Sequence, residues 1–323
     1  MGYPTVIERP GALSATGGAK ETTFGTAVAA TFFLPDSGNT FAVDPGWFSP
    51  ELMMNTRDLH VFNLYGQQTQ LGTISAPFFP TNGAELMVAS IGTDAVTGSS
   101  PLYTHTISQA NTLPSLTIEQ NIGGYQSLQY AGCRVGKMSL TATATNEPID
   151  VAYDMTGQSV AILTTPTTVT VAPELPFVFA EGTLTLFGNV RVDVSSVKID
   201  IDNGLKSTYT FAQEHGPGFI TPCTLHVSGT LTVVWSSLNN TIYGDYTSMI
   251  NDTLGSLSFV VAHPGGTGAS LTITCPQVVI NKYTNDLKMG DVVMSNLTFE
   301  ATKSLSSGYT VQAVLANSVS TQY

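Results

Sequence analysis

The stretch Val197-Lys198-Ile199-Asp200-Ile201-Asp202-Asn203-Gly204 shows how most of this chain is built. Apolar and polar residues alternate over six positions, which is the pattern of a β-strand with one buried and one solvated face. The Asn-Gly pair that follows is a turn signal. Similar alternating runs occur along the whole chain, at residues 59–65, 103–108, 115–120, 137–145, 183–187, 257–262 and 309–315. The sequence therefore predicts a mainly β protein.

Helix signals are scarce and short. Thr81-Asn82 is a candidate cap for a helix that ends near Ser90, and Asn240-Thr241 for one that ends near Ile250. An acidic residue early in each segment suits the positive end of a helix dipole. We expect two short helices that cover a sheet.

Charge is unusually low for a chain of 323 residues. Only 11% of residues are charged, against roughly 25% in ordinary soluble domains, and the formal net charge is −12. The eleven basic residues are scattered, which argues against a protein that grips nucleic acid through its phosphates. Threonine occurs 45 times and the mean hydropathy is +0.15. Because interfaces between identical subunits are depleted in charge, this composition favours a β-rich subunit of an assembly.

Motifs for catalysis, metals and cofactors are missing from the sequence. Residues 11–20 resemble a phosphate loop only loosely, because Ala19 precedes Lys20 and Glu21 follows it. No GxSxG elbow, HExxH pair or CxxC pair occurs, and no apolar run approaches 18 residues. The first residues also lack the pattern of a signal peptide. We expect no enzyme activity, no cofactor, no metal and no membrane partner.

The chain contains signs of an internal duplication. Four short matches occur in the same order at nearly one offset, between 155 and 158 residues. They pair Asp44-Pro45-Gly46 with Asp202-Asn203-Gly204, residues 72–75 with 229–232, 115–118 with 270–273, and 139–143 with 296–302. A tandem duplication of one β-rich domain would explain why the matches occur in the same order.

The duplication sets the predicted domain organisation. Residues 1–20 form an N-terminal arm, residues 21–163 the first domain and residues 177–323 the second. Residues 164–176 between them are rich in Pro and Thr, which is typical of an extended linker. Each domain is expected to be a β-sandwich or half-barrel with one short flanking helix.

Two long loops occupy equivalent positions in the two copies, at residues 47–58 and 205–222. Loops of this length inside a domain are usually functional or flexible. Both carry large apolar side chains, which favour contact with a partner unless the loop folds back on its own sheet. The candidate contact residues are Trp47, Phe48, Met53, Met54, Phe211 and Phe219.

Four stretches of the first half resemble the major tail tube proteins of long-tailed, siphovirus-type bacteriophages. They are Thr23-Phe24-Gly25-Thr26-Ala27-Val28, Pro77-Phe78-Phe79-Pro80, Tyr103-Thr104-His105-Thr106 and Leu128-Gln129-Tyr130-Ala131-Gly132-Cys133-Arg134-Val135. The resemblance covers most of residues 20–160, and the repeat extends it to the second half as a duplicated-domain type. No matched position carries a catalytic role.

The resemblance implies a fold of two packed sheets with a flanking helix in each domain. It also implies subunits that form rings around a lumen, in which one sheet of every domain joins a continuous barrel. Rings then stack through a long loop, so the six apolar loop residues become inter-ring contacts. The implied partners are other copies of the chain, a tape measure protein and the tail terminator and tip proteins. DNA crosses the lumen without specific binding, and the protein is made in the host bacterial cytoplasm and ends in the virion.

Barrel geometry connects the duplication to ring size. Strands spaced about 4.8 Å apart and tilted by roughly 40° give a backbone diameter of about 47 Å for 24 strands, but only about 24 Å for 12. If each domain supplies four strands, three duplicated chains make a pseudo-sixfold ring wide enough for duplex DNA. Asp193, Asp200 and Asp202 are the candidate acidic residues of the lumen, or else ordinary solvated strand positions.

Two other functions remain open at this point. A tail terminator or distal tail protein shares the implied fold but forms a single ring. A carbohydrate-binding or adhesin β-sandwich is the alternative from another class of protein.

Overall fold

The computed structural model describes residues 11–36, 38–145, 147–211, 213 and 215–323. In this part the chain forms 21 strands and two short α-helices, which confirms the mainly β prediction. Nineteen strands belong to one continuous hydrogen-bonded sheet, in which all strand pairs are antiparallel, and two form a separate hairpin.

The first half of the chain contains eleven strands and one helix. In chain order they are β1 (Ala15–Lys20), β2 (Phe32–Leu34), β3 (Gly38–Asn39), β4 (Ala42–Asp44), β5 (Thr69–Pro77), α1 (Ala84–Ile91), β6 (Gly92–Ser99), β7 (Leu102–Gln109), β8 (Leu116–Ile122), β9 (Gln126–Thr143), β10 (Asp150–Gly157) and β11 (Ser159–Leu163).

The second half contains ten strands and one helix. They are β12 (Gly182–Leu186), β13 (Asn189–Arg191), β14 (Val194–Asp202), β15 (Leu205–Thr208), β16 (Phe219–Pro222), β17 (His226–Val234), α2 (Asp245–Ile250), β18 (Gly255–Ala262), β19 (Ser270–Asp286), β20 (Met294–Ala301) and β21 (Gln312–Asn317). A π-helical turn, Asn239–Tyr243, precedes α2.

Eight strand positions form what we call the central sheet. Their spatial order is β3 with β4, then β5, β10, the second part of β9, β14, β17, β20 and the second part of β19. One face of this sheet is apolar and belongs to the hydrophobic core, as Ile74, Leu140 and Ile199 show. The alternation of β14 follows directly, because its apolar residues point to the core and its charged residues to the opposite face.

The same pairing scheme occurs twice along the chain. β5 lies between β4 and β10, and β17 lies between β14 and β20. The long strand β9 pairs with β8 and β11 through its first part and with β10 through its second, and β19 pairs in the same way with β18, β21 and β20. β1 lies between β2 and β8, as β12 lies between β13 and β18.

One element interrupts this correspondence. The hairpin β6–β7 stands between α1 and β8, has no counterpart after α2, and pairs with β21 of the second half. The insertion changes the offset between matching positions from 157 residues at Thr73 and Thr230 to 144 at Asp154 and Thr298. Two of the four sequence matches therefore fall on strands that do not correspond. Residues 116–118 lie on β8 but 270–273 on β19, and residues 139–143 lie on β9 but 296–301 on β20.

Other local predictions differ from the structure. Residues 59–65 alternate like a strand but lie in a long loop with only isolated bridges at His60 and Leu64. The two helices begin after Gly83 and Gly244, both in the left-handed region, and neither has a side-chain cap. The Asn82 side chain instead donates a hydrogen bond to the Ala172 carbonyl.

The expected arm and linker have a defined place where the structure describes them. Residues 15–20 of the expected arm form β1 inside the sheet, and residues 1–10 lie outside the described residues. The expected linker has no strand or helix, but Thr167 bonds to Glu119, and Glu174 accepts hydrogen bonds from the backbone N–H groups of Thr81 and Asn82. The linker therefore packs along the first half.

Candidate assembly surfaces

In the structure the first predicted loop extends over residues 45–68, and the second contains the hairpin β15–β16, so Phe219 lies on a strand. Both loops leave the same end of the central sheet through identical turns. Asp44 accepts a hydrogen bond from the Gly46 N–H at 2.9 Å, and Asp202 accepts one from the Gly204 N–H at 2.8 Å. Both glycines have a positive φ, 57° and 52°, which favours glycine at this position. The shared Asp-x-Gly spacing thus fixes where both loops begin.

Residues of the two loops contact each other. The Gln68 N–H donates to the His215 carbonyl at 2.9 Å, and the Tyr209 hydroxyl donates to the Gln68 carbonyl at 3.1 Å. The Tyr65 ring packs edge-on against His215 and also against Trp47, with centroid distances of 4.1 and 4.9 Å. The described residues of the two loops therefore form one surface, which we call the loop surface.

All six predicted contact residues are exposed on the loop surface. Met53 and Phe211 are fully exposed, and about half of each remaining side chain is exposed, at Trp47, Phe48, Met54 and Phe219. The backbone below them is ordered by a pair of hydrogen bonds between Phe48 and Leu64. A large apolar area exposed on a defined backbone is typical of an interaction site.

The solvent-facing side of the central sheet is acidic. Its described positions carry seven carboxylates, at Asp44, Asp150, Asp154, Asp200, Asp202, Asp286 and Glu300, against three lysines, at Lys137, Lys198 and Lys282. Two of the three predicted lumen residues, Asp200 and Asp202, lie on this face. Burial opposes ionisation of Asp200, but hydrogen bonds from Ser139 and Lys198 and the nearby lysines outweigh it and lower its pKa.

The third predicted lumen residue, Asp193, lies elsewhere. It is 8% exposed and bonds to Arg191, so it does not belong to the solvent-facing side of the sheet. Arg191 also binds Asp245 at the start of α2, and its guanidinium stacks on the Tyr243 ring at 4.0 Å. Burial disfavours the charged guanidinium, but bonds and attraction to both carboxylates raise the Arg191 pKa above its usual value. Sequence reasoning missed this cluster because its members come from two segments that are far apart in the sequence, Arg191 with Asp193 and Tyr243 with Asp245.

Both ends of the central sheet are open edges in the described structure. At one end β4 pairs only with β5, and at the other the second part of β19 pairs only with β20. Residues 284–286 are exposed, and Asp44 at the opposite edge is exposed as well. Open strand edges have unpaired N–H and C=O groups that can pair with another chain.

A cavity of about 850 Å³ lies beside the start of α1, and the side chain of Glu85 is part of its lining. Among the described residues, Glu85 Oε2 has no hydrogen-bond partner, and burial raises the Glu85 pKa to about 7 although a backbone hydrogen bond opposes the shift. Ionised Glu85 therefore costs the folded state free energy at neutral pH.

We predict that Glu85→Gln stabilises the chain at high pH only. Because the pKa of Glu85 is about 7 in the folded chain and 4.5 unfolded, its favourable contribution is complete below pH 4.5 and is lost as the pH rises through 7. At pH 8 the variant is expected to be more stable to urea than the natural chain by about 3 kcal/mol, with a difference under about 1 kcal/mol at pH 5. Glu51→Gln, an exposed loop substitution, is the control. An equal effect at both pH values would contradict the burial of this charge.

The described residues do not favour a metal site or a reactive cysteine. They include no group of three or more His, Cys, Asp and Glu side chains that could hold a metal. Cys133 and Cys275 are buried and Cys223 is exposed, all three as free thiols, and burial raises the pKa of Cys275 to about 12. No helix in the described part of the chain is long and apolar enough to cross a membrane.

These features define a structural subunit: an acidic sheet face, two open sheet edges and an apolar loop surface. A family model for the phage tail tube protein matches residues 11–301, and the chain belongs to this family. It is therefore a structural component of the phage tail, part of the virion and not an enzyme, and family membership implies assembly of copies into a tube. The comparison with curated proteins finds no match.

Proposed function

We propose that three copies of this chain close into a pseudo-sixfold ring, and that stacked rings form a tube with an acidic lumen for DNA. The observation that carries the proposal is the junction inside the chain, where β9 of the first half pairs with β14 of the second. If the halves are copies of one domain, the same junction can form between β19 of one chain and β4 of the next.

The repeated pairing scheme supports the division into two tail-tube-like domains. Residues 21–163, together with β1 just before them, and residues 177–323 supply corresponding strands in the same order, apart from the hairpin β6–β7 in the first half and the hairpin β15–β16 in the second. The turns at Gly46 and Gly204 and the helix starts at Gly83 and Gly244 support the same division. Residues 164–176 would act as the linker, and the N-terminal arm would end before β1, which begins at Ala15.

The pairing inside the chain predicts the register between chains. Lys137 of β9 faces Asp202 of β14, and Ser139 faces Asp200. β9 has a bulge in its pairing with β10, and β19 has one in its pairing with β20. Aligning the two strands at these bulges makes Lys137 equivalent to Lys282 and Ser139 equivalent to Thr284. On the other strand, Asp202 corresponds to Asp44 and Asp200 to Ala42. Lys282 would therefore face Asp44 of the next chain, and Thr284 would face Ala42.

Ring size follows from the central sheet. Each chain supplies eight strand positions, so three chains supply 24 and a backbone diameter of about 47 Å. Closing the ring pairs both open edges of the central sheet, which removes the unpaired backbone groups at its two ends. A ring of this kind needs no partner other than copies of the chain.

The charge of the central sheet suits a conduit. Seven carboxylates against three lysines repel phosphates, so DNA would pass without the counterion exchange that makes basic proteins adhere. Stacking is assigned to the loop surface, whose exposed apolar side chains would contact the next ring. A tape measure protein inside the tube and terminator and tip proteins at its ends are the further partners.

A pair of engineered cysteines tests the junction and counts the chains. In a Cys223→Ser background, Ala42→Cys and Thr284→Cys would lie directly opposite across the proposed junction, within disulfide range. We expect a non-reducing gel to show a ladder that ends at three linked chains, and negative-stain images to show rings and tubes.

The matched control moves one cysteine by one residue. Asn285→Cys with Ala42→Cys places the two side chains on opposite faces of the sheet, so no ladder is expected. A ladder that ends at six chains would contradict the trimer. If microscopy shows rings but the gel shows no ladder, the proposed junction is wrong. Protein that stops at single rings under all conditions would indicate a terminator or distal tail protein, and solitary subunits that bind glycans would indicate an adhesin.

A further inference from the structure

The two helices differ sharply in burial although they occupy matching positions. Seven of the eight residues of α1 are buried, whereas Asp245 is the only buried residue of α2. Both helices start at a left-handed glycine and follow the matching strands β5 and β17. The difference therefore lies in what covers each helix.

Elements of the second half cover α1. The Asn203 side chain, in the turn after β14, donates a hydrogen bond to the Ser90 carbonyl at 2.9 Å. Near the end of the chain, the Tyr323 N–H donates to Asp94 just beyond α1, and the Asn317 side chain donates to the Pro80 carbonyl just before it. In spatial order the second half is the neighbour of the first, so α1 is covered from the side of β14.

Nothing in the described chain covers α2 in this way. Tyr246 and Ile250 lie four residues apart and share one face of the helix, where they are 57% and 61% exposed. Ile242 and Leu254, on either side of the helix, are 56% and 52% exposed, and Trp235 nearby is 47% exposed. We call these five residues the α2 patch.

The α2 patch continues into the open sheet edge. The Tyr246 ring packs edge-on against Tyr283 of β19 with a centroid distance of 5.8 Å, and a small cavity beside them is lined by Trp235 and Asn285. The α2 patch is uncharged, as expected of surface that is buried between copies of one chain.

We propose that the α2 patch is the binding site for the first half of the next copy in the same ring, which covers α2 as the second half covers α1. The covering segments would be the turn at Pro45 and the chain after β11, because these match the turn at Asn203 and the chain after β21. The inference rests on the proposed ring and adds a second, apolar contact to each strand junction.

Charging the patch tests the inference. Ile250→Glu with Leu254→Glu would place two carboxylates in the proposed interface, while both positions stay solvated in the single subunit. We expect the variant to keep its circular dichroism spectrum and urea midpoint but to sediment as single subunits, with ring content reduced at least tenfold where the natural chain assembles.

Leu13→Glu with Ile122→Glu is the matched control, because both side chains are similarly exposed and lie together near β1 and β8. The control is expected to assemble normally. Variant rings that form but do not stack would overturn the inference by placing the patch between rings, and unchanged tubes would overturn it outright. A natural chain that never assembles would instead defeat the proposed ring itself.

Discussion

Replacing Trp47 and Phe48 together by alanine is expected to stop assembly at single rings while each subunit stays folded. Both side chains are more than half exposed on the loop surface, so their removal leaves the core intact. Loss of the Trp47 contact with Tyr65 should lower subunit stability by only about 1 kcal/mol. Their loss removes apolar contact from every copy in the ring at once. Because a stacked interface repeats this loss around the ring, we expect tubes to disappear from negative-stain images.

The structure allows a matched comparison for this result. Leu13→Ala with Ile122→Ala removes a similar amount of exposed apolar surface from a site near β1 and β8, and it should leave tube length unchanged. Sedimentation separates the outcomes, since single rings and tubes differ greatly in size. Tubes of normal length in the Trp47 and Phe48 variant would show that the loop surface has no role in stacking.

Replacing Arg191 by methionine is expected to cost the subunit about 3–5 kcal/mol of unfolding free energy. Arg191 Nε and Nη2 donate to Asp193 at 2.9 and 2.8 Å, and Nη1 and Nη2 donate to Asp245 at 2.7 and 2.9 Å. The three side chains are at most 4% exposed, so methionine would leave two buried carboxylates without a countercharge. Urea unfolding at pH 7, with the chain held as single subunits, measures the loss.

Two further variants make this prediction specific. Arg57→Met removes an exposed arginine of the loop surface and should change the unfolding free energy by under about 0.5 kcal/mol. Adding Asp245→Asn to Arg191→Met removes one of the stranded charges and should recover part of the loss. A cost below 1 kcal/mol for Arg191→Met would show that the buried cluster does not hold β13 to α2.

The strands could be predicted from the sequence because apolar and polar residues alternate with the same period of two as the buried and solvent-facing positions of a strand. The residues of β14 point alternately to core and solvent, as their pattern predicts. The run at residues 59–65 has the same period but forms no strand, because strand formation also needs a neighbour in register and the loop offers only isolated bridges. Local pattern thus predicts a strand only where a sheet is present to receive it.

The sequence matches between the two halves agree with the strand pairing only in part. The Asp-x-Gly turns were found because a left-handed glycine and an aspartate acceptor are needed at both positions. Beyond α1 the hairpin β6–β7 changes the offset, so the matches of the segments that follow fall on strands that do not correspond. Among the candidate site residues, exposed loop side chains were predictable from their apolar character. The burial of Asp193 was not, because its partner Arg191 also binds Asp245, which lies in a distant segment.

The hairpin β6–β7 gives the outside of the proposed tube a different symmetry from its bore. In the described chain the hairpin β6–β7 has no counterpart in the second half, which it extends by pairing with β21. A surface that alternates between halves with and without this hairpin repeats three times per turn. Any external protein that recognises the hairpin would therefore decorate each proposed ring with a stoichiometry of three, although six similar halves would surround the lumen.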